Sequence, residues 1–181
     1  MQNDYRNVRL TGGFWKRKED LNRDSTIPAV FSRFDETGRI EAFQCNWKEG
    51  MPKQPHIFWD SDVVKWMEGA AYVLSREANP ELEAQVEALI DEIEKNQGED
   101  GYFNIHFTVV RPEARFTNRD WHELYCAGHL MEAAVAYSEA KGKTAAAYAE
   151  TDLINADTRM TRYDFNCTVD HSHKGKSAAK H

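Results

Sequence analysis

The sequence predicts an all-α fold built from paired helices, arranged as a helical toroid or a bundle. Three segments, residues 60–78, 79–96 and 121–140, carry apolar residues at the spacing of a helix that is buried along one side. The connections include short turns with glycine and one long loop with several aromatic residues, residues 39–58. Helix pairs joined in this way pack into toroids or bundles, and their sites are built from the longer loops.

The first helix is predicted to follow the glycine pair at positions 12 and 13, in "GGFWKRKEDLNRDSTIPAVFSRF". Pro28 should disturb this helix, because proline has no backbone N–H and its ring collides with the preceding turn. Gly38 should end it. From Arg39 to Phe58 no helical period survives, and "CNWKEGMPKQPHIFW" predicts a long irregular loop. Loops of this length are more often functional than idle.

The next two helices are predicted to form a pair. Asp60 or Ser61 is expected to cap the first, and Asp62 suits the positive end of its dipole. Asn79 is expected to cap the second, with Pro80 in its first turn. The predicted buried faces are Val63, Trp66, Met67, Ala70, Ala71 and Leu74 in the first helix, and Leu82, Val86, Leu89, Ile90 and Ile93 in the second.

The remaining elements are one strand and one helix. The alternation in "YFNIHFTVV" predicts a short extended segment. The last helix is predicted from Trp121 to Ala140, with a buried face of Leu124, Ala127, Met131, Ala134 and Val135. Large apolar residues become sparse after this helix. Residues 1–142 are therefore predicted to be one unit and residues 143–181 a separate, polar and disordered tail.

Composition restricts the function. The 181 residues include 23 Lys and Arg against 30 Asp and Glu, and the net charge of −7 argues against binding to nucleic acid or to an anionic membrane. No stretch approaches the roughly 18 apolar residues of a membrane helix, and the polar N-terminus does not resemble a signal peptide. Three widely spaced cysteines do not make a disulfide framework. The sequence predicts a cytoplasmic protein with reduced thiols.

The segment "DWHELYCAGHLMEAAVAY" places several possible metal ligands on one predicted helix. Seven residues separate His122 from His129, which is about 10 Å along a helix. A zinc ion holds its ligands at about 2 Å, so these two histidines cannot chelate one ion by themselves. His122 and Cys126 could both reach an ion, but the sequence suggests no third ligand nearby. We therefore expect no self-contained metal site on this helix.

Four stretches carry a family likeness: "FWKRKEDLNRDSTIPAVFSRFDETGRIEAF", "HIFWDSDVVKWMEGAAYVL", "NQGEDGYFNIHFTVV" and "HELYCAGHLMEAAVAYSEAKGK". Together they resemble the N-terminal part of the bacterial β-L-arabinofuranosidases of glycoside hydrolase family 127. The resemblance implies an (α/α)6 barrel, of which residues 1–142 supply the first few helices. It also implies release of non-reducing-end β-L-arabinofuranose from plant-type glycans.

The mechanism implied by the resemblance needs residues that this chain lacks. In the family, a zinc-bound cysteine thiolate attacks the anomeric carbon and a glutamate serves as acid and base, a retaining double displacement. Those groups lie well C-terminal to the matching region. Cys45 and Cys126 do not match the nucleophile by position, and Cys167 lies in the polar tail. We therefore expect no catalytic residue, metal ligand or cofactor in this chain, and no activity from it alone. The tail itself is expected to result from a frameshift, a gene fragment or an error in the gene model.

Three residues are predicted to contact sugar. His122 resembles a histidine that the family uses in its sugar pocket, although a histidine that only satisfies the helix start remains the alternative. Trp59 is the predicted stacking platform, and Gln44 is a candidate to bond sugar hydroxyls. Glu123 could serve either the helix dipole or the substrate. His129 is expected to be packed and hydrogen-bonded in the core.

Two alternatives to an inactive hydrolase fragment remain open. The chain could be a non-catalytic carbohydrate-binding or interaction module, or part of a related glycosidase with a different sugar specificity. The expected partner is an L-arabinofuranoside, bound weakly at most. Because a partial barrel exposes helix faces that further helices would cover, self-association through those faces is also expected.

Overall fold

The computed structural model describes residues 8–142, and this part of the chain is helical with no β-strand. Its main helices are α1 (Gly13–Leu21), α2 (Ile27–Glu36), α3 (Trp59–Leu74), α4 (Pro80–Asn96), α5 (His106–Val109) and α6 (Glu123–Ala140). Short 3₁₀ helices lie at Glu41–Gln44, Pro112–Ala114 and Arg119–Trp121. The predicted all-α class is confirmed. The predicted tail, residues 143–181, lies outside the described residues.

The first predicted helix is present, and the predicted disturbance near Pro28 is a change in helix type. A π-helical turn, Asn22–Thr26, joins α1 to α2 just before Pro28. A wider turn accommodates a proline because the proline ring collides with the carbonyl four residues earlier and donates no hydrogen bond. The carbonyl of Ile27, the residue before this proline, accepts from the indole N–H of Trp66 at 2.9 Å, a contact that ties the start of α2 to α3. As predicted, Gly38 ends α2, and it adopts a left-handed φ of 84°.

Helices α3 and α6 pack against each other and run in the same direction. Lys65 of α3 contacts Tyr125 of α6, and one turn further along each helix Glu68 lies beside His129. Helix α4 runs the opposite way, since Lys141 at the end of α6 pairs with Glu83 near the start of α4. Parallel central helices with an antiparallel helix beside them are the arrangement expected of an (α/α) barrel segment.

The core lies among α2, α3, α4, α6 and the 3₁₀ helix Glu41–Gln44. All five residues predicted on the buried face of α4 are buried, and the Asn79 side chain caps that helix by accepting from the N–H of Leu82. In α3 the predicted stripe is buried except for Leu74, which is partly exposed. The largest fully buried side chains include Phe43, Met67, Ile93 and Ile105.

Three sequence predictions about local structure were wrong. The residue at the cap position of α3 is Phe58 rather than Asp60 or Ser61. No side chain caps the start of this helix. The segment predicted as a strand is irregular up to Ile105 and then forms α5. The buried Asn104 side chain accepts from the N–H of Phe107 at 3.0 Å and so starts a helical turn.

The third error concerns which face of α6 is buried. Leu124 and Val135 were predicted to be buried, yet they are 69% and 50% exposed. The buried side instead carries Cys126, Leu130 and Tyr137 together with small residues. Apolar residues occur around the whole circumference of α6, so their spacing alone could not identify the side that contacts α3. Among residues 8–142, no helix has the length and apolar character needed to span a bilayer.

Candidate functional site: the helix starts of α3 and α6

The segment that leads into α3 is held in place by the neighbouring helices. The carbonyl of Pro55 accepts from Nδ1 of His106 at 2.8 Å, and the carbonyl of Ile57 accepts from the thiol of Cys126 at 3.4 Å. The carbonyl of Phe58 accepts from the hydroxyl of Ser61 at 3.0 Å. Three successive anchors from α3, α5 and α6 therefore fix the aromatic end of the long loop beside the start of α6.

His122 lies at the start of α6 in a left-handed backbone conformation, with φ 61°. Such a conformation is uncommon for a residue other than glycine and typically marks a turn or a functional position. Nδ1 of His122 lies 2.6 Å from the carbonyl oxygen of Asp120. Because a carbonyl can only accept, Nδ1 donates, and in the neutral ring Nε2 keeps its lone pair. The residue is exposed, so this nitrogen can accept a hydrogen bond from a ligand hydroxyl.

A row of five aromatic rings passes through this histidine. The row comprises His56, Phe58, His122, Tyr125 and His129, and its successive ring centroids lie 5.4, 4.9, 5.7 and 4.5 Å apart. Such a row offers apolar faces beside polar edge atoms, a combination suited to sugar rings. Phe58 was not proposed from the sequence, although it stands next to the nominated Trp59. We call these five residues the ring row.

Trp59 and Gln44, the other two residues predicted to contact sugar, are not members of the ring row. Trp59 is the first residue of α3, and its ring is covered by the guanidinium of Arg39, 5.2 Å from the ring centre. Gln44 ends the 3₁₀ helix, is exposed, and accepts from the amide of Asn46 at 3.0 Å. Their proposed contacts with sugar stay predictions.

Glu123 is a structural residue that the sequence could not assign. Only 5% of it is exposed, and its carboxylate accepts from the hydroxyl of Tyr102 and, at 2.7 Å, from the N–H of Phe116. Arg115 covers the Tyr102 ring at 3.5 Å and pairs with Asp100 at 2.7 Å. Glu123 therefore ties the segment before α6 to the helix start, and its oxygens are occupied by protein donors.

Asp60 is a second buried carboxyl group at this end of the molecule. Both of its oxygens accept from the N–H of Ile105, at 3.2 and 3.1 Å, so it joins α3 to the segment before α5. Burial raises the pKa of Asp60 to about 7, against the opposing effect of the Ile105 N–H. Asp62 points elsewhere and pairs with Arg39 at 3.3 Å. The two carboxylates are thus engaged separately within the protein.

The two described cysteines lie outside the group of side chains that has the spacing of a metal site. Burial raises the pKa of both Cys45 and Cys126 to about 12, with the negative charge of Asp60 acting in the same direction. A thiol must be ionised to attack carbon or to bind zinc. Within residues 8–142, one group of side chains has the spacing of a metal site, and it contains neither cysteine: Glu68, His129 and Glu132.

His129 is half-buried and less well satisfied than expected. Its ring packs on Tyr125 as predicted. Nδ1 lies 2.9 Å from a carboxylate oxygen of Glu132, yet the geometry does not make a hydrogen bond, and this buried nitrogen has no hydrogen-bond partner. The prediction that His129 is packed and hydrogen-bonded was therefore correct for the packing of its ring and wrong for the hydrogen bond of Nδ1.

Comparisons with known proteins give the same class as the fold. A family model described as "Beta-L-arabinofuranosidase, GH127 catalytic domain" matches residues 7–179. The crystal structure of Ara127N-Se, a GH127 β-L-arabinofuranosidase from Geobacillus stearothermophilus T6, superposes with a TM-score of 0.72 and 37% identity, over 87% of this chain and 25% of that one. The non-reducing end β-L-arabinofuranosidase of Bifidobacterium longum subsp. longum is 31% identical over 162 residues, which is 75% of this chain and 24% of that protein.

These matches place the chain in the class of helical domains that belong to glycoside hydrolases. More narrowly, the chain belongs to glycoside hydrolase family 127, as the sequence resemblance implied. The chain spans about a quarter of the length of the relatives that it matches. The family match also extends past residue 143, through most of the segment predicted to be a separate tail, and that boundary stays a prediction.

Proposed function

We propose that this chain forms part of the sugar-binding wall of a β-L-arabinofuranosidase-like glycosidase, with His122 as the main polar contact. The observation that carries the proposal is the geometry of His122. Its left-handed backbone and the bond from Nδ1 to Asp120 fix the ring at the start of α6 with Nε2 available to accept from a sugar hydroxyl. Phe58, 4.9 Å away, offers an apolar ring beside it. Both relatives named above are β-L-arabinofuranosidases, which supports an L-arabinofuranoside as the ligand.

We further propose that the chain alone does not hydrolyse these sugars and takes no catalytic zinc. Support comes from the two described thiols, which are poor nucleophiles near neutral pH because burial raises their pKa, and which belong to no group with metal-ligand spacing among residues 8–142. The buried carboxyl groups offer no replacement, since Glu123 and Asp60 are bonded to backbone and tyrosine donors. Binding without chemistry is the expected behaviour. We expect no binding to nucleic acid, because the net charge is −7.

Self-association is proposed through exposed apolar side chains of the central helices. Tyr72 of α3 and Leu124, Tyr125 and Val135 of α6 are each at least 44% exposed. Exposed large apolar side chains on neighbouring helices favour contact with another apolar surface. Sedimentation at increasing concentration should show reversible association, and Val135→Glu should weaken it. An unchanged association in that variant would contradict the role of these side chains.

The sugar proposal is tested by His122→Gly, a change that separates binding from folding. Glycine adopts a positive φ without strain, so the free energy of unfolding should stay within about 1 kcal/mol of the wild-type value. The loss of the ring should reduce the affinity for methyl β-L-arabinofuranoside at least tenfold by calorimetry. His171→Gly, in the C-terminal segment, is the matched control and should leave the affinity unchanged. Equal affinity in wild type and His122→Gly would refute the proposal.

A paired assay distinguishes the proposal from the alternative functions. Hydrolysis of an aryl β-L-arabinofuranoside should stay at the level of the buffer for the full chain. Zinc-dependent turnover would refute the proposal that the chain alone is inactive, and would show that the chain itself is catalytic. Saturable binding of another pentoside or a uronide in preference to the arabinoside would favour a related glycosidase of different specificity.

A further inference from the structure

A group of polar side chains lies between α3 and α6, away from the sugar-contacting end. Glu68 comes from α3, and His129 and Glu132 come from α6. One ligand atom from each residue lies within 4.8 Å of the others. His129 stands two turns beyond His122, about 10 Å along the helix, so this group is separate from the proposed sugar contact. The proposed function uses His122 and Phe58 toward the other end of the ring row, and the group contains neither Cys45 nor Cys126.

The state of His129 indicates what this group binds. Its Nδ1 atom is shielded from solvent and has no hydrogen-bond partner, although a Glu132 oxygen lies 2.9 Å away. A buried nitrogen without a partner is unfavourable unless another group occupies its lone pair. The Tyr125 ring packs edge-on against this imidazole at 4.5 Å and holds its orientation. A lone pair so oriented beside two carboxylates is suited to a cation.

The surrounding residues favour a cation as well. The hydroxyl of Tyr72 donates to one oxygen of Glu68 at 3.0 Å and so orients that carboxylate while its second oxygen remains a possible ligand. Lys65 is the nearest described cation along α3, and its ammonium group donates to the hydroxyl of Tyr125 at 2.6 Å. Two carboxylates and one neutral imidazole carry a charge of about −2, which a divalent ion neutralises.

We propose that Glu68, His129 and Glu132 bind a divalent transition-metal ion of the Zn²⁺ type, which joins α3 to α6. One imidazole nitrogen and two carboxylate oxygens suit such an ion, and water would complete its coordination. Ligands at about 2.1 Å from a tetrahedral ion lie about 3.4 Å from one another. The ligand atoms lie within 4.8 Å of one another, and rotation of the glutamate side chains would bring them to that value on binding. This site contains no cysteine and is distinct from a zinc–thiolate centre.

Titration of the full chain with Co²⁺ tests the proposal, because the absorption of bound Co²⁺ identifies its ligands. We expect one saturable equivalent with d–d bands and no thiolate-to-metal charge-transfer band. The affinity should fall at least tenfold in each of Glu68→Gln, His129→Gln and Glu132→Gln. Glu132 has a side chain that is 62% exposed, so its variant should fold normally and serves as the decisive one. Zn²⁺ should compete for the same equivalent.

Two matched controls complete the design. Glu81→Gln removes an exposed carboxylate from the first turn of α4 and should leave the affinity unchanged. A double variant, His171→Gln with His173→Gln, removes histidines of the C-terminal segment that could bind metal independently, and it should also retain the site. The proposal is overturned if the double variant abolishes binding, if a thiolate band appears, or if Glu132→Gln binds Co²⁺ as tightly as the wild type.

Discussion

The buried carboxyl group of Asp60 should make the stability of this protein fall as the pH rises from about 4 to about 7. In the folded chain its pKa is about 7, against an unfolded value of 3.8. When folding raises the pKa of a carboxyl group, the folded state is more stable at a pH at which the group is protonated than at a pH at which it is ionised. That contribution is complete below the unfolded pKa and is lost as the pH rises through the folded pKa.

The size of the effect follows from the two pKa values. The difference of about 3 units corresponds to at most about 4 kcal/mol, since each unit is worth about 1.4 kcal/mol. This is a large fraction of the 5–15 kcal/mol that is typical of folded domains. Asp60→Asn should remove the effect, because asparagine keeps an acceptor for the N–H of Ile105 and carries no charge at any pH.

Urea unfolding followed by circular dichroism at pH 4, 5, 6, 7 and 8 would measure this difference. Near pH 4 the wild type and Asp60→Asn should have similar free energies of unfolding. At pH 8 the variant should be more stable, by up to about 4 kcal/mol. Asp62→Asn, which removes the partner of Arg39, is the control and should follow the wild-type pH dependence. Identical pH profiles for Asp60→Asn and wild type would refute the reasoning.

Three further predictions follow from the described contacts. Glu123→Ala leaves buried donors without an acceptor and should destabilise the chain by about 3 kcal/mol in urea unfolding, whereas an effect below 1 kcal/mol would contradict its role as an anchor. Ile93→Ala, at a fully buried site, should cost about 2–5 kcal/mol, and Leu124→Ala, at a site 69% exposed, less than about 0.5 kcal/mol; similar losses at both sites would contradict the described packing. Cys45 and Cys126 should react with iodoacetamide at pH 8 far more slowly in the folded chain than in urea, because only about one thiol in 10⁴ is ionised when the pKa is about 12; equal rates would contradict their burial.

The predictability of each element depended on whether its signals were local. Helix α4 was predicted in full, since Asn79, Pro80 and a one-sided apolar stripe all act within the helix itself. The buried face of α6 was not predicted, because apolar residues surround that helix and only the contact with α3 determines which of them are buried. The segment before α5 was wrongly predicted to be a strand for a related reason. Its alternating apolar residues pack inward from an irregular chain in which the Asn104 side chain starts a helical turn.

The candidate site was predictable only in part. The sequence nominated His122 through a family likeness, but its left-handed backbone and its bond to Asp120 depend on the folded segment before α6. Phe58 was missed because its contact with His122 joins residues 64 positions apart. The pairing of Glu68 with His129 and Glu132 likewise requires the parallel packing of α3 and α6, and no spacing within either helix reveals it.

The central claim is that His122 presents a sugar-accepting nitrogen at the start of α6. The most direct test is a nuclear magnetic resonance titration of the full chain with methyl β-L-arabinofuranoside, in which the ring signals of His122 are assigned by their absence in His122→Gly. We expect a saturable shift of these signals, with no comparable shift on addition of methyl α-D-glucopyranoside. Unchanged His122 signals at sugar concentrations that saturate any binding, or equal shifts with both sugars, would contradict it.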